Sequence, residues 1–230
     1  MNRLLRFNAV FRLYEKIQPY LKYTLHVENK IPFDNALILA PHMDDEAIGC
    51  GGMLVKLKNA GGKARVLFFT KDSETRKAEA VKACGILGAT PVFLDYAGES
   101  LSDNVAKAGL DIQKAIEEYT PGAVFVPFFL DNHVDHRALS LALLNVKYTG
   151  MIYAYPVWSP LYPNVMIDIS GEWEEKKKAI ECYKSQLATR DYVKMSFSLG
   201  QYWAIAKGRN MAVAETFLRL SLIEYLKLVK

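Results

Sequence analysis

Short apolar runs recur along this 230-residue chain, with room for one helix between each pair. Ala36–Ala40, the Val66–Phe69 stretch of Lys63–Thr70, Pro91–Asp95, Ala123–Val126 and Ile152–Tyr155 carry few polar residues. Strands of this kind need cover on both faces, as in a parallel sheet. Between them, Glu46–Asn59, Ser73–Leu87, Asp103–Tyr119 and His136–Lys147 read as helices. Ser73 is placed to cap a helix start, while Gly61-Gly62 and Gly88 are placed to end helices. Strands alternating with helices imply parallel pairing through right-handed crossovers. The expected class is α/β, a three-layer Rossmann-like fold with a mainly parallel sheet. The end of the chain is less regular. Met166–Ile169 reads as a strand, Gly171–Leu187 as a helix, Tyr192–Ala206 as a hairpin or loop, and Met211–Lys230 as a final helix. The length suits a single domain over 1–230, made of a domain at 34–230 and a basic amphipathic extension at 1–33.

Two of the expected strands end in clusters of charge. Pro41-His42-Met43-Asp44-Asp45-Glu46 follows the first, and Asp131-Asn132-His133-Val134-Asp135-His136 follows the fourth. Charge at the end of a buried strand is costly unless something uses it. In α/β sheets, ligands bind outside the carboxyl ends of the strands. Three of the four histidines lie in these two segments; the other, His26, reads as structural or solvated. Imidazole with carboxylate suits zinc, and iron(II) or cobalt(II) accept the same donors. Cys50, Cys84 and Cys182 show no paired spacing, so a thiolate site is not expected and a reducing cytoplasm is.

Each residue also has a plainer use. Asp44, Asp45 and Glu46 suit the acidic first turn of a helix. Arg76 and Glu79 stand three apart, as in a surface ion pair. Asp95 can serve a turn. Gly49, Gly51 and Gly52 lack phosphate-loop spacing and suit close packing of a helix on the sheet. Tyr153, Tyr155, Trp158, Tyr162 and Trp203 offer a sugar platform, but aromatics in such segments more often belong to the core.

Composition removes several classes. The formal net charge is +4, and no basic run interleaved with aromatics suggests nucleic acid. No apolar run approaches the ~18 residues of a membrane span. Residues 1–18 place Arg3, Arg6, Arg12 and Lys16 among Phe7, Val10, Tyr14 and Ile17 at helical spacing. Such a helix either lies on the inner membrane surface or packs on the domain or a partner subunit, with a homo-oligomer as one result. The packing use is preferred, and no cleavage site marks a signal peptide.

The two charged segments together resemble the PIG-L (LmbE-like) family of zinc-dependent N-deacetylases. The family's His-Pro-Asp-Asp-Glu, followed by Gly-Cys-Gly-Gly, is matched by His42–Glu46 and Gly49–Gly52, and its His-Pro-Asp-His by His133–His136. Met43 and Val134 replace the two family prolines. Arg76 and Glu79, Asp95, and Lys176, Ala179, Ser185 and Gln186 match further positions, so the resemblance runs from about Ala36 to Gln186.

The resemblance implies that His42, Asp45 and His136 bind one zinc ion and that Asp44 is the general base. It implies that His133 stabilises the oxyanion or protonates the leaving amine, with Asp135 tuning a nearby histidine, in the first instance by keeping His133 charged. Arg76 and Asp95 would hold substrate hydroxyls, and Glu46 would support the ligands. The implied activity is removal of acetyl from an N-acetylated amino sugar or glycoconjugate. The alternatives are another amide or carbamoyl hydrolase, acting on an antibiotic or glycan intermediate, and a binding module with a vestigial site.

Overall fold

The computed structural model describes residues 25–96, 101–207 and 210–229. The helix expected over residues 1–18 lies outside them. Eight strands form one sheet: β1 (His26–Glu28), β2 (Asn35–Ala40), β3 (Lys63–Thr70), β4 (Ala89–Tyr96), β5 (Ala123–Pro127), β6 (Met151–Tyr155), β7 (Val165–Asp168) and β8 (Ala214–Ser221). Their order is β1-β7-β8-β6-β5-β2-β3-β4. Every pairing is parallel except those of β8, which runs antiparallel to both β6 and β7.

The helices are α1 (Asp45–Asn59), α2 (Glu74–Leu87), α3 (Val105–Tyr119), α4 (Val134–Ala142), α5 (Trp173–Glu181), α6 (Lys184–Leu187), α7 (Tyr192–Lys207) and α8 (Leu222–Val229). None of the described helices is long and apolar enough to cross a membrane. Successive strand residues alternate between two cores. Ala36, Ile38 and Ala40 pack with α1, α2 and α5, while Leu37 and Leu39 pack with α3, α4 and α8. Both faces are therefore covered, giving the three layers expected of strands that are apolar throughout.

From β2 the chain advances to β3 and β4, then returns to place β5 on the other side of β2. The connections leaving β2 and β5 therefore diverge. A crevice opens between them, the usual ligand position in doubly wound sheets. Several bonds fix its walls. Thr70 donates from both its amide (3.0 Å) and its hydroxyl (2.7 Å) to the Pro41 carbonyl. Tyr155 Oη donates to the Leu39 carbonyl (2.8 Å), and Ser140 Oγ to that of Pro127 (2.9 Å).

Helix α1 lies unusually close to its neighbours. A Cβ on Gly49 would fall 2.2 Å from the Tyr155 ring, and one on Gly52 2.6 Å from Ile169. Behind it, buried Lys176 donates to the Ile48 carbonyl (2.8 Å) and to Glu215 Oε1 (2.6 Å). Glu215 in turn accepts the amides of Gly52 and Met53, both at 2.7 Å. Lys176→Met leaves this carboxylate buried without its cation. It should lower the free energy of unfolding by ~3–5 kcal/mol, read as a lower urea midpoint at constant m-value.

Three expectations at the end of the chain are corrected. Tyr192–Lys207 is a helix, not a hairpin or loop, with Gly200 fitted against Val213 and Ala214. Residues 214–221 form a strand, so only Leu222–Val229 of the expected final helix is helical. The helix expected over 171–187 breaks into α5 and α6. The break lets Tyr183 turn inward, where its hydroxyl donates to Glu46 Oε1 at 2.5 Å.

Candidate metal centre

The connection after β2 delivers His42, Asp44 and Asp45, and the one after β5 delivers Asp131, His133, Asp135 and His136. Asp45 opens α1 and is buried. Its Oδ2 accepts the His42 amide (2.9 Å) and lies 3.4 Å from His42 Nδ1 and 3.3 Å from His136 Nε2. Each imidazole shows its other nitrogen to a second carboxylate. His42 Nε2 is 3.0 Å from Asp135 Oδ2, and His136 Nδ1 is 3.4 Å from Asp131 Oδ1. This is the arrangement by which carboxylates orient metal-binding histidines.

The donor set fits a metal ion. His136 is fully buried, yet neither ring nitrogen has a hydrogen bond. An unsatisfied buried imidazole is costly. Four-coordinate donors ~2.0–2.1 Å from zinc stand about 3.3–3.4 Å apart, the spacing of Asp45 Oδ2 from both histidine nitrogens. His42, His133 and His136 also form a group whose ligand atoms lie within 4.8 Å of one another. His133 is the most open of the three. Its Nδ1 caps α4 by accepting the Asp135 amide at 3.2 Å.

The charges reinforce one another. Burial alone would push the Asp45 carboxyl up, but His136 and His42 hold it far below the usual carboxylate range. Burial would lower the histidines. Asp135 and Asp45 instead raise His42 to about 9, and Asp45 and Asp131 raise His136 to about 10. Asp44 behaves oppositely. Burial and neighbouring Asp45 lift it to about 7, against the pull of Arg76. Its backbone has φ +151°, a strained value for a residue with a side chain. Burial, opposed by the Tyr183 hydrogen bond, raises Glu46 to about 8.

Four expectations change on this geometry. Asp135 points its carboxylate at His42 rather than holding a proton on His133; burial, with His42 and His136 nearby, keeps His133 below 6.5. Arg76 is a cavity residue, but three of its N–H groups are engaged. Nε donates to the Met43 carbonyl (2.8 Å) and Nη1 to Asp72 (2.7 Å), while Nη2 pairs with Asp44 Oδ2 (3.0 Å). Asp95 does not reach the site: it is exposed and bonded to Lys77 Nζ at 2.8 Å. Glu79 is no surface partner of Arg76. It is buried, and accepts the amide (3.0 Å) and hydroxyl (2.6 Å) of Ser185.

His42, Asp44, Asp45, Arg76 and His133 line a cavity of about 160 Å³ with Ile48, Val157, Trp158, Gln186 and Tyr192. Of the aromatics singled out in the sequence, Trp158 alone is in this wall. Tyr153, Tyr155 and Trp203 are buried, and Tyr162 is exposed. Tyr192 belongs to the site although sequence reasoning does not single it out, and Asp131, part of the second charged segment, is given no role of its own there. The position of Asp131, two before His133 at a strand end, is a usable signal; Tyr192 has none.

Replacing Arg76 has a signed consequence for pH dependence. A base at Asp44 works unprotonated, and the Arg76 cation favours that form. Arg76→Met should move the acidic limb of kcat/KM upward by ~1–3 pH units. Activity then falls far more at pH 6 than at pH 9, read from pH–rate profiles of both proteins. A bound cation lowers the limb in both proteins and leaves the displacement between them.

The PIG-L family model, described as GlcNAc-PI de-N-acetylase, matches residues 37–147. The diacetylchitobiose deacetylase of Thermococcus kodakarensis is 28% identical over 193 residues, spanning 67% of this chain and 72% of that protein. The N,N'-diacetylchitobiose deacetylase of Pyrococcus horikoshii superposes with TM-score 0.71 at 20% identity, over 95% of this chain and 94% of that one. GalB, the 4-carboxy-2-hydroxymuconate hydratase of Pseudomonas putida KT2440, gives 0.67 at 20% identity, over 81% of this chain and 96% of that one. The last two resemblances speak for the fold alone, and their different reactions show that the fold does not choose the chemistry.

Proposed function

We infer, from the premise that this chain belongs to the PIG-L family, that it is a metal-dependent hydrolase removing acetyl from an N-acetylated amino sugar or its conjugate. One observation carries the reading. A buried imidazole without hydrogen bonds, on His136, faces the buried carboxylate of Asp45 at 3.3 Å, and Asp45 lines the cavity beside Asp44. In this reading His42, Asp45 and His136 hold one zinc ion. When bound, zinc supplies Lewis-acid activation of water and of an acyl carbonyl.

The chain's own residues do the rest. Asp44 Oδ takes the proton of the attacking water and is kept ready by Arg76. His133 caps α4 through Nδ1, which leaves its Nε2–H to face the developing oxyanion as a neutral donor. The amine leaves with the proton that Asp44 received. Asp135 orients His42, and Glu46 with Tyr183 anchors the start of α1. Gln186 and Trp158 meet the sugar, while Ile48 and Val157 offer an apolar wall to the acyl methyl.

The substrate is a small sugar or glycoconjugate. The chain is taken as one domain of a cytoplasmic protein. The test is acetate release from N-acetylglucosamine, N,N'-diacetylchitobiose and a lipid-linked N-acetylglucosaminide, with metal content measured on the same sample. Release that requires zinc is expected. Activity retained by a metal-free Asp45→Ala protein, or no release from any of the three, sinks the reading.

A further inference from the structure

Asp131 is more than a neighbour of His136, because its carboxylate joins three pieces of the site. It is completely buried. Oδ1 accepts the His133 amide (3.0 Å) and faces His136 Nδ1 at 3.4 Å. Oδ2 accepts the amides of Trp158 (2.9 Å) and Ser159 (3.4 Å). The same contact is doubled by the Asn132 amide, which donates to Ser159 Oγ (3.1 Å). Arg137 Nη1 pins the Asp131 carbonyl (2.9 Å), so the residue is held from both ends. Trp158 walls the cavity, with the Arg190 guanidinium 4.5 Å over its ring.

We propose that Asp131 is a positioning residue that couples the metal centre to the Trp158 wall of the substrate cavity. The inference rests on His136 being a metal ligand. Its physical basis is that one rigid carboxylate serves two duties. Oδ1 favours the proton on His136 Nδ1 and so presents the Nε2 lone pair inward, toward Asp45. Oδ2 fixes the backbone from which the indole hangs. An adjustment of the His136 ring on metal loading therefore reaches Trp158 across a single planar group. By linkage, whatever factor zinc imposes on a sugar's affinity at Trp158, the sugar imposes on zinc affinity.

The experiment uses the full chain with Trp173→Phe and Trp203→Phe, which leaves Trp158 as its only tryptophan. Zinc is titrated into metal-stripped protein. Uptake is followed by competition with a chelating dye, and Trp158 by its fluorescence. The emission of Trp158 is expected to change in step with uptake. Asp131→Asn in the same background cannot serve both duties, because its amide gives one acceptor and one donor edge. Zinc affinity should fall ~10–100-fold and the Trp158 response should disappear.

Affinity within twofold of the parent together with an unchanged response would overturn the proposal. So would a parent whose indole ignores zinc uptake, a result that decides the matter even if Asp131→Asn fails to fold. No zinc uptake by the parent overturns the metal-centre reading and this inference with it. Uptake without coupling overturns this inference alone.

Discussion

Asp44→Asn should lower the deacetylation rate by about 10²–10⁴ while leaving zinc content and fold unchanged. The separation of the two effects follows from where Asp44 sits. Its carboxylate is turned to Arg76 Nη2, whereas Asp45 beside it is turned to His42 and His136. Two adjacent carboxylates thus face different partners and are driven to opposite ends of the titration range. Asp45 is locked as the anion, and Asp44 is lifted to about 7, where a base can both accept and return a proton. Asparagine keeps the shape and a hydrogen bond to Arg76 but cannot take a proton. Acetate release with elemental analysis on one preparation checks the claim. A variant with wild-type turnover would remove Asp44 from the base role and leave the metal reading intact.

Removing the metal, or the Asp45 carboxylate that bridges both histidines, should abolish activity. Asp45→Ala should bring bound zinc to background, and dialysis against chelator should do the same reversibly in the wild type. The return of zinc has a definite pH dependence. Raised to about 9 and about 10, His42 and His136 both carry protons at pH 7 in the metal-free protein. Zinc must displace them, so loading releases up to two protons and zinc affinity rises with pH, by up to about a hundredfold per unit below pH 9. A chelator-competition series from pH 6 to 8.5, with proton release read in weak buffer, measures both. Affinity independent of pH would mean that the ligands are not these histidines.

Both results depend on residues that are legible in the amino-acid sequence alone. The candidate metal centre can be read there because two apolar strands each run into a cluster that burial would otherwise forbid. Alternation of strand and helix places those two ends on the same side of the sheet. What cannot be read has physical causes. β8 is paired on both edges and its first half, Ala214–Phe217, is buried on both faces, so the strand lacks alternation over its whole length. Its leucines also continue into Leu222–Val229, mimicking one helix. Tyr192–Lys207, rich in aromatic and β-branched residues, is helical because tertiary packing overrides weak propensity. Asp95 stands at a strand end as His42 and Asp131 do, but Lys77, in the first turn of α2, captures it. The Trp158 wall comes from a connection whose path no local pattern specifies, and Tyr192 reaches the cavity from the start of α7, whose placement is set by tertiary packing.

Gly49 and Gly52, where α1 meets Tyr155 and Ile169, have a consequence for how this candidate centre can vary. One half of the donor set rides on that helix and its preceding turn, the other on the connection after β5. The span between the halves is therefore gauged by how deeply α1 beds against Tyr155 and Ile169, a depth set by missing methyl groups. Adding one at Gly49 touches no donor, yet it lifts the helix and widens the gap that a single ion must bridge. Tolerance of the site to mutation is thus narrowest on a surface that never meets substrate, and ligand spacing there can be tuned in steps of one carbon.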